Sequence, residues 1–300
     1  MILASRRAAI ASAVMTLAVL ASGCASAVPD PTAASAGSGS ASETTTAPTS
    51  AVKGPPEMEH VHNLALAGTA LLVGSHEGLY RQEPGETPVR VGEPFDVMGF
   101  TKMSDRWLAS GHPGPGMQAP PDLGLLESTD EGRNWSAVSL SGEADFHRLT
   151  GSGKTVLGVN SGDGLLWRST DAGKNWNTVE ASLYDVALDP QDPDSAVATT
   201  PEGPQRSRDG GQTWSPIADA PLLSLLAWHD DGLTCVTPEG RVQTSSNGGR
   251  TWKERGTVKG TPVALAAAGD QVALLAGDTV WFSSDSGASF KPRITAVAGH

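Results

Sequence analysis

Five times between residues 128 and 290 the chain repeats one octamer, Ser-x-Asp/Asn-x-Gly-x-x-Trp/Phe, at 128–135, 169–176, 207–214, 245–252 and 283–290. Successive copies start 41, 38, 38 and 38 residues apart. A period near 40 marks an array of equal units, none able to bury its apolar face alone. The octamer reads as a tight turn between two strands. Gly132, Gly173, Gly211, Gly249 and Gly287 can take positive φ without a Cβ clash. Asp130, Asp171, Asp209, Asn247 and Asp285 can accept turn amides, as can the serine hydroxyls. The closing aromatic opens the next strand and can pack under the turn, so the motif is a structural staple.

Each unit supplies four short strands joined by Gly/Pro/Asp turns, most legibly at 183–188, 195–199, 205–207 and 213–217. Such spacing predicts an all-β fold, and four-stranded units set radially make a β-propeller. First strands beginning near His60, Phe95, Asp145, Leu183, Leu222 and Pro262 give six blades. Residues 52–59 could furnish a strand of a seventh, and residues 294–300 could pair with the first unit to close the ring. The first unit has RQEPGE at 81–86 in place of the octamer, and the second carries an insertion at 111–124.

The octamers resemble the Asp-box (bacterial neuraminidase, BNR) repeat of sialidases, sortilin-type receptors and photosystem assembly factors, over residues 60–294. Segments HVH at 60–62, GSHEGL at 74–79, ASGHPGPG at 109–116 and GEADFH at 142–147 are similar to a bacterial subgroup of exported, glycosyl-hydrolase-like proteins. The resemblance implies the propeller, but it spans enzymes and non-enzymes alike. Sialidases hold their substrate with an arginine triad and attack with a glutamate-activated tyrosine. Here the tyrosines are Tyr80 and Tyr184 alone, and Arg168, Arg206 and Arg241 fall beside the octamers, so sialic acid cleavage is not expected.

The N-terminus reads as an export signal. Arg6 and Arg7 precede an apolar segment at 8–20, too short to span a bilayer as a mature helix. The run LASGC at 20–24 resembles a bacterial lipobox, which implies removal of residues 1–23, lipidation of Cys24 and anchoring on the outer face of the cell membrane. An ordinary signal peptide with an incidental cysteine is the alternative. Residues 24–55 are rich in Ala, Ser, Thr and Pro and read as a tether, leaving 56–300 for the propeller. Cys235, in an apolar run, reads as a small buried hydrophobe. The net charge of −12 argues against a nucleic-acid partner, which needs basic patches.

Strand direction then gathers the chemistry. In an antiparallel blade the start of the first strand, the end of the second and the start of the third share one face, opposite the octamers. His60 and His62 open the first strand of unit one; Asp145 and His147 open that of unit three. Spacing of i, i+2 sends each pair to one side. Aligned apolar positions place Asp185 and Ser224 level with His62 and His147. His76 and His112 end second strands. Five of seven histidines therefore converge, with Asp96, Glu143, Asp145 and Glu77 nearby. Three readings stand. One is a transition-metal site with His60, His62, His76, His112 and His147 as candidate ligands. The second is a glycan or small-ligand site, hydrolytic if Asp96, Glu143 and Asp145 include an acid and a base. The third is a structural hydrogen-bond network on a protein-binding scaffold. Trp107, Trp167, Trp228 and Trp281 read as blade packing rather than a sugar platform, and the 111–124 insertion as a rim loop.

Overall fold

The computed structural model describes residues 50–297 and 299; the export signal, Cys24 and nearly all of the tether lie outside them. Six sheets form the described chain, five of four strands and one of five. The first strand of each sheet faces a central channel: Val61–Ala67, Asp96–Lys102, Phe146–Ser152, Asp185–Leu188, Leu225–His229 and Pro262–Ala268. Each touches the next around the ring, and the sixth touches the first. The fold is a six-bladed β-propeller.

The ring follows from two-faced burial. Second strands such as Ala70–Ser75 are buried along their whole length, because each blade is covered on both faces by its neighbours. Six apolar cores result, one per blade junction. Leu72 and Leu79 of blade one meet Phe95 and Phe100 of blade two, and the series continues until Ala264 and Leu275 of blade six meet Leu64 and Tyr80 of blade one. Trp107 is in such a core, with Trp167, Trp228 and Trp281 packed against others. Cys235 is fully buried in the junction of blades four and five.

Residues 52–59 build no seventh blade. Val52–Lys53 instead adds a fifth, parallel strand outside Lys291–Thr295 of blade six, while Gly299 bridges Val61 of blade one. Val52–Lys53 and Gly299 thus fasten the same junction from opposite ends of the described residues. Arg293 reinforces it, donating to Gln82 Oε1 at 2.6 Å, Thr69 O at 2.8 Å and Gln82 O at 3.1 Å.

The octamers form one hydrogen-bonded unit. In each, the serine hydroxyl donates to the Asp or Asn Oδ1 at 2.6–3.0 Å and accepts from the glycine amide at 2.8–2.9 Å. The same Oδ1 accepts the amide of the seventh residue at 2.9–3.0 Å. That residue's side chain closes a further bond, which the spacing of conspicuous residues does not reveal; Thr213 Oγ1, for instance, donates to Asp209 Oδ2 at 2.6 Å. The residue before the glycine is left-handed as well, including Glu131 (φ 62°) and Ala172 (φ 68°).

Register confirms that the octamers and the histidines occupy opposite ends of the blades. In blade two, Asp96 pairs with His112 at one end of the second strand, and Trp107 pairs with Ser128 at the other.

Candidate functional site

At the end of the ring away from the octamers, blades one, two and three line a cleft of about 510 Å³. Two half-sites adjoin it, each a carboxylate with two imidazoles, with His62 on the channel side of the first.

In the first, His62 Nε2 lies 3.6 Å from Asp96 Oδ1 and His76 Nε2 lies 3.7 Å from Asp96 Oδ2. One ligand atom from each of His62, His76 and Asp96 falls within 4.8 Å of the others. His60 stacks on His76 with ring centroids 4.6 Å apart, and His62 sits 4.8 Å from the same ring. His62 is buried, His76 and Asp96 half-buried, His60 exposed.

In the second, Asp145 Oδ2 lies 2.7 Å from His147 Nε2 and accepts the Ser161 hydroxyl at 2.7 Å. His112 Nε2 approaches the same oxygen to 3.6 Å. His112 Nδ1 is 2.9 Å from Pro121 O. A carbonyl only accepts, so Nδ1 carries a proton and Nε2 is the ring nitrogen turned to Asp145. Pro121 belongs to the 111–124 insertion, which also brings Asp122 within 3.5 Å of His112. The insertion therefore shapes the rim of the site.

The local backbone explains the convergence. A β-bulge interrupts the pairing of the first strand at His62 in blade one and at His147 in blade three. The extra residue re-aims its side chain off the ordinary alternation. The simple i, i+2 expectation is thus replaced by a bulge, although the residues it named do come together. Asp185 and Ser224 do not join them. Asp185 faces the channel wall, where it accepts the amides of Leu226 at 2.8 Å and Val186 at 3.0 Å and pairs with Arg148 at 3.7 Å; Ser224 donates to Val236 O at 3.0 Å. Blade four shows no bulge in its first-strand pairing, so level position in the alignment does not become level position in space. Glu143 lines the cleft from an exposed position. Glu77 accepts the Glu59 amide at 3.0 Å and the Ser75 hydroxyl at 3.3 Å, a local cap beside the cluster.

Sequence reasoning missed Asn160 and Ser161. Asn160 ends the second strand of blade three and Ser161 follows it, the place His76 takes in blade one, so the same face rule would have found them. Asn160 Oδ1 accepts the Asp145 amide at 2.9 Å.

The two carboxylates differ electrostatically. Burial pushes Asp96 above the ordinary carboxylate value, and the nearby His76 and His112 only partly offset this, with Asp145 and Glu77 adding to the rise. Burial also raises Asp145, but the hydrogen bonds from His147 and Ser161 and the charges of His147 and His112 prevail and hold it below that value.

The BNR/Asp-box repeat model matches residues 205–216. No curated protein sequence matches the chain. Among solved structures, the chain is similar to one in a nidogen/laminin complex, with 13% identity and TM-score 0.59 over 76% of this chain and 94% of the other. It is also similar to the GH74 xyloglucanase of Xanthomonas campestris, with 16% identity and TM-score 0.53, over 81% of this chain and 46% of the xyloglucanase. The chain thus spans under half of that enzyme. YCF48 bound to D1 peptide matches at 18% identity and TM-score 0.47, over 79% of this chain and 83% of the other. At such identities the likeness concerns the fold.

Proposed function

We propose that this Asp-box propeller binds a transition-metal ion at the His62/His76/Asp96 half-site, with His112, His147 and Asp145 completing or extending the coordination. One observation carries the reading. The His62–Asp96 and His76–Asp96 separations, 3.6 and 3.7 Å, are long for hydrogen bonds. They run to the two oxygens of one carboxylate, and one ligand atom from each residue lies within 4.8 Å of the others. A modest side-chain closure would therefore bring three donors to the roughly 3.3 Å edge of a coordination tetrahedron with ligands 2.0–2.1 Å from zinc. Mixed imidazole and carboxylate donors suit zinc, copper, iron or nickel. The bond from His112 Nδ1–H to Pro121 O supports the same reading, because a carbonyl that takes one ring N–H commonly orients the other nitrogen of a ligating imidazole.

Metal analysis of untagged protein, with zinc titration of chelator-treated protein, tests it. About one ion per chain, lost in the His62→Ala/His76→Ala variant, is the expected result. A chain that stays metal-free under zinc titration sinks the reading.

The opposed shifts of Asp96 and Asp145 favour one second reading, acid–base hydrolysis of a glycoside. Carboxyl groups whose environments push them apart are suited to acid and base roles. Turnover of a glycoside panel by the chelator-treated protein, abolished by Asp96→Asn and by Asp145→Asn, would select it. In either case the protein acts at the outer face of the cell membrane, held by lipid on Cys24. Cys24→Ser is expected to release it from the membrane fraction, and retention of that variant would refute the anchor.

A further inference from the structure

The far end of the molecule carries a second, chemically opposite cluster. Arg206, on the third strand of blade four (Gln205–Ser207), Arg208 in the octamer of that blade and Arg250 in the octamer of blade five line one cleft of about 530 Å³, walled by Trp214 and Ile217. The chain carries a net charge of −12, yet among the described residues none of these guanidiniums forms an ion pair with a carboxylate. Arg206 Nε is buried without a hydrogen-bond partner.

The repeat supplies an internal control. Arg168 holds in blade three the position Arg206 holds in blade four, one residue before the octamer. Its guanidinium reaches the next blade's octamer, donating to Gly210 O at 2.8 Å and Asp209 O at 3.2 Å. Arg255 makes the equivalent kind of link from blade five to blade six, to Ser286 O at 3.0 Å and Asp285 O at 2.7 Å. Arg206 makes no such link. At the junction of blades four and five, the neighbouring octamer presents the guanidinium of Arg250 to the same cleft. Burial, and then the charges of Arg208 and Arg250, pull Arg206 below the ordinary guanidinium value, as expected where three like charges gather without a counter-charge.

Burying one donor and crowding two more cations beside it costs free energy that an anion would return. Guanidinium forks match tetrahedral oxyanions in geometry as well as charge. We propose that the Arg206/Arg208/Arg250 cleft is an oxyanion-binding site, for a group of the phosphate or sulfate type, separate from the histidine cluster and independent of its function.

Titrating the full chain with inorganic phosphate and, separately, inorganic sulfate, with chloride at matched ionic strength as reference, tests this by amide and Arg Nε NMR shifts and by quenching of tryptophan fluorescence. Saturable shifts at Arg206 and Trp214 are expected with one or both oxyanions and not with chloride. Arg206→Gln and Arg250→Gln are each expected to weaken binding roughly tenfold or more. His62→Ala/His147→Ala, which strikes the other cluster, is expected to leave it unchanged. Arg250 is exposed, so its substitution leaves the fold intact and keeps the test decisive if Arg206→Gln unfolds. Phosphate alone binding assigns the site to phosphate groups; both binding assigns a general oxyanion site. Non-saturable shifts, equal shifts with chloride, or binding that survives Arg250→Gln would overturn the proposal.

Discussion

Asp96 concentrates the opposing demands of a binding site in one side chain. Its carboxylate sits between two imidazoles, yet burial disfavours its charge. A carboxyl raised in the folded state costs stability when ionised, fully above its folded pKa, and the cost fades as pH falls towards the unfolded value near 3.9. Asp96→Asn removes that charge at nearly constant volume. In chelator at pH 7 the variant is expected to melt about 2–4 °C higher than the parent, for roughly 1 kcal/mol in a domain of this size. The difference should close as pH approaches 4. With zinc the order reverses, because the parent gains binding energy and the variant does not. An Asp96→Asn protein that melts lower in chelator would contradict this account of its environment.

The octamer is the recurring element, and its behaviour is that of a charge-dependent turn. Hydrogen bonds from the side chain of Asn134 and then its amide hold Asp130 down to about 2. At Asp209 burial opposes the bonds from Thr213, Ser207 and Gln212, and the result is again about 2. Asp171 and Asp285 are lowered further, chiefly by the side chains of Asn175 and Ser283. A carboxyl depressed in the folded state contributes stability above its unfolded pKa and loses it as pH falls through the folded value. The octamers should therefore fail together between about pH 4 and pH 2, visible as a steep drop in melting temperature. Blade five is the exception, since Asn247 cannot ionise. Asn247→Asp should raise melting at pH 7 by about 2 °C, with Thr251 turning its hydroxyl to donate as Thr213 does. That gain should vanish at pH 2; a gain unchanged at pH 2 would mean that charge plays no part in the turn.

For the molecule as a whole, the decisive junction is the one where the ring closes. Blade six receives a strand from residues before blade one, and Arg293 fastens it to three acceptors on blade one. Arg293→Met leaves those acceptors unpaired at a buried site, costing about 2–3 kcal/mol and lowering melting by about 5–10 °C. Arg255→Met cuts two bonds at the blade five–six junction, nearer the surface, and should cost less. Equal losses would show that closure has no special weight. Net negative charge acts at this scale too, drawing cations towards the histidine cluster and setting the arginine cleft apart as a local reversal of sign.

The sequence by itself determined the blade. A 38-residue period, the octamers and the strand spacing depend on neighbours along the chain, and local chemistry suffices for them. Because strand direction alternates within a blade, it also determined that His60, His62, His76, His112 and His147 reach one end of the ring. Only the tertiary structure decided which of them share a carboxylate, because bulges at His62 and His147 shift side chains by a residue that no periodicity registers. It also decided how the ring closes, and that Arg206, unlike Arg168 at the same repeat position, meets a cation where its counterpart meets carbonyls. Those outcomes depend on what the next blade presents across the junction. Between consecutive blades such contacts join residues about forty apart, and at the closure more than two hundred; a repeat makes them look alike until the facing side chains are known.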